Sequence, residues 1–325
     1  MPRVLAILLV FFAAQANAAA PPVETTIQAP GPLGPLRGTM LGPNSKGQVV
    51  LIIPGSGPTD RDGNNPLGIK GSPYKLLAEG LAAKGITTVR IDKRGIYGSS
   101  RAVADANAVT MADYAADVHA WIRVIRAQTG VSCVWVAGHS EGGLVALAST
   151  RSPENMCGLI LLAAPGRPVG DVLRDQIKLN LANTPVLGQA LSALKALESG
   201  RHVDANALHP ALAQIFNPEI QGFLISMLAL DPARLAADFH KPMLIMQGER
   251  DIQVSVSDAE RLKQAAPSAR LVLLPDTNHV LKTVTTSNLA ANRAAYIKVD
   301  LPLASGVVDG IATFLQESDA SARPN

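Results

Sequence analysis

The sequence predicts an α/β protein: a mainly parallel sheet flanked by helices, with a helical cap inserted into it. Two observations predict the sheet. Short apolar, often β-branched runs alternate with longer segments of helical periodicity, and most of these runs end at turn-forming residues. A third observation predicts the cap. Residues 167–240 carry helical patterns and no convincing strand, which is too long for a plain loop in a compact domain.

The elements follow in chain order. Prolines and glycines at 30–35 read as turns between short early strands. Residues 49–54 form an apolar run ending in Pro54-Gly55, which fits a buried strand. A helix is expected over 74–84 and a β-branched strand over 86–91. Residues 111–127 carry Tyr114, Val118, Trp121, Ile122 and Ile125 at helical spacing, with Thr110 and Asp113 placed as a capping pair. Then come a strand at 134–137, a small-residue helix at 140–149 and strands at 159–164, 243–246 and 271–274. A helix at 307–315 closes the chain. Alternation of this kind implies right-handed crossovers, with ligands bound beyond the carboxyl ends of the strands.

The N-terminus reads as a secretory leader. Arg3 supplies the positive charge, residues 4–14 the apolar run and Ala16-Asn17-Ala18 the cleavage site. That run of about 11 residues is well short of the roughly 20 that span a bilayer. The expected organisation is a signal peptide at 1–18 and one domain over 19–325, exported to the periplasm or beyond, with no stable membrane anchor. Lys and Arg number 29 against 26 Asp and Glu, with no basic run, so nucleic acid is not an expected partner. Cys133 and Cys157 each begin a predicted strand. If those strands are neighbours, the two thiols come within disulfide range at the edge opposite the carboxyl ends.

The chemistry starts at Gly138-His139-Ser140-Glu141-Gly142, a G-x-S-x-G between a strand and a helix. A sharp turn there strains the serine backbone and projects its hydroxyl, which makes Ser140 the candidate nucleophile. A serine needs a base. Of six histidines, His279 follows the last strand at the same edge of the sheet. His139 is expected to pack and orient the turn; His119, His202, His209 and His240 read as structural, exposed or linker residues. The acid that orients the imidazole is expected to be Asp251, after the strand at 243–246, with Glu249 and Asp276 as rivals. Backbone N–H groups of Glu141 and of Ser56, in the loop Pro54-Gly55-Ser56-Gly57-Pro58, are the expected oxyanion donors. Arg61, between Asp60 and Asp62, either pins this loop through charge-assisted hydrogen bonds or belongs to a solvated polar loop. Phe223, Leu224, Met227 and Leu228 are candidates for an apolar substrate wall, Phe223 and Met227 foremost. The same spacing also suits plain core packing.

Metal and cofactor motifs fail. His139-x-Glu141 lacks a P-C-x-x-C partner. No HExxH occurs, Gly55-x-Gly57 lacks the third glycine of a dinucleotide loop, and no P-loop is present. No metal and no cofactor are expected.

On these residues the chain resembles the α/β-hydrolase superfamily, and within it bacterial carboxylesterases that carry Gly-Ser-Gly-Pro-Thr-Asp-Arg-Asp-Gly-Asn after the third strand. That segment is complete here at 55–64, and the Asp92-Lys93-Arg94-Gly95 turn is similar to the group as well. The resemblance spans about 26–315 and is weakest in the cap. It implies an eight-stranded core and hydrolysis of a small-molecule ester. Amide or peptide hydrolysis by the same machinery, and a non-catalytic binding role on the same scaffold, are the alternatives.

Overall fold

The computed structural model describes residues 23–322, except 44–46, 67, 180, 214 and 287. The expected leader at 1–18 lies outside the described residues.

Eight strands form one sheet: β1 (Val23–Pro30), β2 (Pro35–Gly42), β3 (Val49–Ile53), β4 (Thr87–Ile91), β5 (Val134–His139), β6 (Met156–Leu162), β7 (Met243–Gly248) and β8 (Arg270–Leu274). Their order is β1-β2-β4-β3-β5-β6-β7-β8. β1 and β2 pair antiparallel, β2 joins β4 antiparallel, and all remaining pairings are parallel. Residues 30–35 form the tight connection that lets the first two strands fold back on each other.

Helices cover both faces: α1 (Pro73–Ala83), α2 (Met111–Thr129), α3 (Glu141–Ser149) and, after an insertion, α9 (Val256–Ala265), α10 (Leu289–Ile297) and α11 (Val307–Ala322). The insertion between β6 and β7 holds α4 (Val169–Leu179), α5 (Leu187–Glu198), α6 (Pro210–Ala213), α7 (Pro218–Leu228) and α8 (Pro232–Ala237), with no strand among its described residues. Strands β3, β4, β5 and β7 are buried throughout because helices cover them on both sides. One core, around Trp121, Leu51 and Val136, lies under α2 and α3 and continues into the insertion. The other, around Leu77, Ile52 and Leu315, lies under α1 and α11. Among the described residues no helix is long and apolar enough to cross a membrane.

Several local readings hold at the residue. Thr110 and Asp113 form the reciprocal capping box of α2, and Gly130 ends that helix in the left-handed region. Others shift. β6 starts at Met156 and stops at Leu162, not at 164, because Ala163 adopts φ 47° and cannot extend a strand. α11 runs on past 315, since a solvent-facing helical turn needs no apolar residue to continue.

Cys133 stands just before β5 and Cys157 is the second residue of β6. These neighbours pair in parallel, which brings the Cα atoms to 5.1 Å, and the two cysteines are joined as a disulfide. The bridge lies at the amino ends of the strands. It closes a loop with a sequence separation of 24, so reduction is expected to cost about 3 kcal/mol of stability. Urea midpoints with and without reductant measure this, and an unchanged midpoint contradicts it.

Candidate active site

The sheet order reverses at β3, whose neighbours are β4 on one side and β5 on the other. Loops leaving β3 and β5 therefore diverge and open a crevice at their carboxyl ends. Pairing of Ile53 with Gly138 sets the residues after β3 beside the turn after β5.

Ser140 occupies that turn at φ 55°, ψ −121°, a conformation L-residues rarely adopt. The flanking glycines are required by close approach. A Cβ on Gly138 would lie 2.1 Å from the Gly142 carbonyl oxygen, and one on Gly142 would lie 2.4 Å from that of Ile53. Both clashes are with backbone, which cannot step aside. Glu141 opens α3, so its N–H has no acceptor within the helix and points with the positive end of the helix dipole. Ser56 and Ser140 both line a cavity of about 450 Å³ and a second of about 210 Å³; Glu141 lines the first and His279 the second.

His279 and Asp251 meet from two loops. His279 Nδ1 lies 2.8 Å from Asp251 Oδ2, and both side chains are buried. A carboxylate only accepts, so Nδ1 carries the proton and Nε2 presents a lone pair. The other three bonds to Asp251 are donated by Gln253 N and Val254 N to Oδ1, at 2.7 and 3.0 Å, and by Gln247 Nε2 to Oδ2 at 3.0 Å. Burial pushes this carboxyl up, but His279 and the backbone N–H groups of Val254 and Gln253 outweigh it and leave the pKa below the usual carboxylate value. The rivals are elsewhere: Glu249 is exposed, and Asp276 pairs with Arg250 at 3.1 Å. No hydrogen bond joins Ser140 Oγ to His279 among the described residues; the two line the same smaller cavity.

The loop carrying Ser56 is held by partners that sequence reasoning missed. Gly55 N donates to Tyr74 Oη at 3.0 Å, and Gly55 O accepts from Lys93 Nζ at 2.8 Å. Lys93 Nζ also pairs with Glu141 Oε1 at 3.0 Å, deep in the protein. One ammonium thus ties the Ser56 loop to the residue that follows Ser140. The signal for this in the sequence is the Asp92-Lys93-Arg94-Gly95 turn, which places Lys93 two residues after a buried strand.

Arg61 makes charge-assisted hydrogen bonds that hold this loop, with a partner outside its own turn. Its partners are not the adjacent aspartates: its N and Nε donate to Asp92 at 3.0 and 3.1 Å, and Nη1 donates to Thr39 at 3.0 Å. Asp62 pairs with Arg90 instead, and Asp60 caps the turn by accepting from the N–H groups of Asp62 and Asn64. Neighbouring side chains in this turn diverge: Arg61 reaches Thr39 of β2 and Asp92 just past β4, Asp62 reaches Arg90 of β4, and Asp60 stays within the turn.

His139 is buried and links two halves of the site. Its Nε2 is 2.7 Å from the carbonyl oxygen of His279, which can only accept, so Nε2 carries the proton. Nδ1 then accepts from Tyr74 Oη at 2.8 Å. Burial pushes the Tyr74 phenol up, so it keeps the proton it donates. Burial, helped by His279, pushes His139 down to about 3 from 6.5. The unfolded chain therefore binds more protons between those values, and stability falls as pH drops through that window. His139→Gln is expected to reduce that slope by about one proton. Urea midpoints across the window test it, and an unaltered slope contradicts it. His119 is half-buried, while His202, His209 and His240 are exposed.

Phe223 and Met227, on α7, line the larger cavity with Leu224 and Leu228. Met227 and Leu228 also belong to the core, so one helix face serves both purposes. Phe223 meets Tyr114 of α2 edge to face at 6.0 Å, which seats α7 on the sheet domain. Among the described residues no cluster of His, Cys, Asp or Glu could hold a metal ion.

An eight-stranded sheet of this order, with a serine on a strained strand-to-helix turn beside the cavity of a buried Asp–His pair, defines the α/β-hydrolase class, to which this chain belongs. The model of the Hydrolase_4 family, serine aminopeptidase S33, matches residues 70–283, and the chain belongs to that family. Esterase EstD of Thermotoga maritima is 28% identical over 245 residues, which cover 72% of this chain and 54% of that protein. The chain thus spans about half the length of that curated relative. A thermophilic esterase from Thermogutta terrifontis, solved with malate bound, superposes with a TM-score of 0.56 at 18% identity, over 90% of this chain and 99% of its own. The Pyrococcus furiosus esterase Pf2001 superposes with a TM-score of 0.58 at 15% identity, over 91% of each chain. At those identities the two structures speak for a shared fold.

Proposed function

We propose that the protein is an exported carboxylesterase that works by two-step acyl transfer. The observation that carries this is the strained Ser140 turn opening on the same cavity as His279, whose imidazole is held by buried Asp251. Ser140 Oγ attacks the ester carbonyl while His279 Nε2 takes its proton. Asp251 holds the imidazole tautomer and stabilises its charged form. The N–H groups of Ser56 and Glu141 donate to the oxyanion. His279 then protonates the leaving alcohol, and water, activated in the same way, releases the acid. Phe223 and Met227 form part of the substrate wall. Export is supported by the N-terminal leader pattern and the Cys133–Cys157 disulfide.

The family's description raises a second reading, removal of N-terminal residues from peptides. A peptide's terminal ammonium calls for a carboxylate in the cavity. Among the residues lining the two cavities at Ser140 the one carboxylate is Glu141, already paired with Lys93. That favours the neutral ester.

A fluorophosphonate probe is expected to label the wild-type protein at one residue, Ser140, as located by peptide mass spectrometry. An ester is expected to turn over faster than its matched anilide. Labelling elsewhere, or none, overturns the assignment; a faster anilide overturns the ester preference.

A further inference from the structure

We infer that Lys282 is a positioning residue for the base: its buried ammonium straps the loop that carries His279 to the segment joining α10 and α11. This rests on the reading of His279 as the base. Lys282 stands three residues after His279 and is fully buried. The loop does not hold its shape without strain. Asp276 and Leu281, on either side of His279, adopt φ 50° and 61°, a region that residues other than glycine populate only where the surroundings impose it. Asn278 closes the loop on Lys282: its N donates to Lys282 O and its Oδ1 accepts from Lys282 N, both at 3.0 Å. Contacts from outside then fix residues 279–282. His139 Nε2 donates to the His279 carbonyl oxygen at 2.7 Å, Ala304 N to that of Leu281 at 2.8 Å, and Lys282 Nζ to that of Leu301.

Of these contacts only the one from Lys282 carries a charge, and packing does not account for that charge. The side chain runs past Gly71, where a Cβ would lie 3.3 Å from its Cε, before it reaches Leu301. Among the described residues no carboxylate pairs with it, and burial alone pushes the ammonium down to about 8 from 10.5. The ionisable residues on the segments around it are engaged elsewhere or open to solvent. Lys70, Lys298 and Asp300 are exposed, Asp276 pairs with Arg250, Asp251 with His279, and Tyr296 Oη with Gln253. A buried cation without a countercharge opposes folding, and a residue kept in spite of that points to function. An ionised donor makes a hydrogen bond roughly twice as strong as a neutral one, which suits a strained loop that must hold an imidazole in place.

Lys282→Met keeps the length of the side chain nearly intact and removes the charge. At about pH 7 it is expected to lower kcat on p-nitrophenyl butyrate about tenfold with KM within about twofold, and to slow fluorophosphonate labelling of Ser140 by a similar factor. In the wild-type protein both rates are expected to fall about 3- to 10-fold between about pH 7 and 9.5 as the ammonium loses its proton, while circular dichroism stays constant. The methionine variant is expected to show no such fall. Wild-type kcat in the variant overturns the inference. So does an alkaline fall that persists in the variant, because a side chain needed only for packing leaves that limb in place. If the variant does not fold, a flat wild-type profile over the same range overturns the inference by itself. Where wild-type Ser140 takes the label and the substitution changes nothing, this inference fails alone. Where wild-type Ser140 takes no label, the reading beneath it fails as well.

Discussion

Ser140→Ala is expected to lower kcat by roughly 10⁶-fold, and Asp251→Asn by roughly 10⁴-fold, with both proteins folded. The two losses differ because the residues act at different removes. Ser140 supplies the atom that bonds to the acyl carbon, and nothing nearby replaces it. Asp251 acts through His279. An amide at position 251 would have to offer its carbonyl to Nδ1 while Gln247 Nε2 and the N–H groups of Gln253 and Val254 already point at that side chain. Those donors fit two carboxylate oxygens. They clash with an NH₂ group, so the amide turns and the imidazole loses its tautomer and its countercharge. Steady-state kinetics on a p-nitrophenyl ester, with circular dichroism to confirm folding, measure both. Retention of wild-type rate by either variant sinks the proposed mechanism.

Lys93→Met is expected to destabilise the fold by about 3–5 kcal/mol and to lower kcat as well. Lys93 and Glu141 are both buried, 3.0 Å apart, so removing the ammonium leaves a carboxylate in the interior with its countercharge gone. The Gly55 carbonyl loses its donor at the same time, and the loop that presents Ser56 is freed at one end. Losing an oxyanion donor outright costs roughly 2.7–4 kcal/mol of transition-state stabilisation, which sets the upper range for the effect on kcat. The double variant Lys93→Met/Glu141→Gln removes the stranded charge, so its stability is expected to recover most of the loss while kcat stays low. Denaturant midpoints and kinetics on the three proteins separate the two effects. A single variant as stable as wild type contradicts the argument, and so does a double variant that regains full kcat.

Much of the fold was legible in the chain because its signals are local. Apolar runs 49–54 and 134–137 declare buried strands, and the Thr110–Asp113 pair declares a helix start. The Gly138 to Gly142 turn announces itself, since a Cβ at Gly138 or Gly142 would fall 2.1 or 2.4 Å from neighbouring backbone and only glycine fits. Helices α9 and α10 were harder to read. They bury few apolar side chains, Ala259 and Leu262 on α9 and Ala295 on α10, and the local signal for α9 is the Ser255–Asp258 pair at its start. The partners of charged residues were not legible either. Arg61 sits between two aspartates in the chain and pairs with a third, Asp92, because strand order and turn geometry set what each side chain can reach.

The residue types needed for acyl transfer, and the turn that strains the serine, could be read from the chain before any pairing was known. Long-range assembly decided the rest: that Asp251 and not Asp276 meets His279, that His139 bridges Tyr74 to the His279 backbone, and that Lys93 spans the loop of Ser56 and the start of α3. The physical reason is range. Backbone conformation and helix capping are set by residues within a few positions. A hydrogen bond or ion pair between residues dozens to hundreds of positions apart exists only once the sheet has closed and desolvated them both.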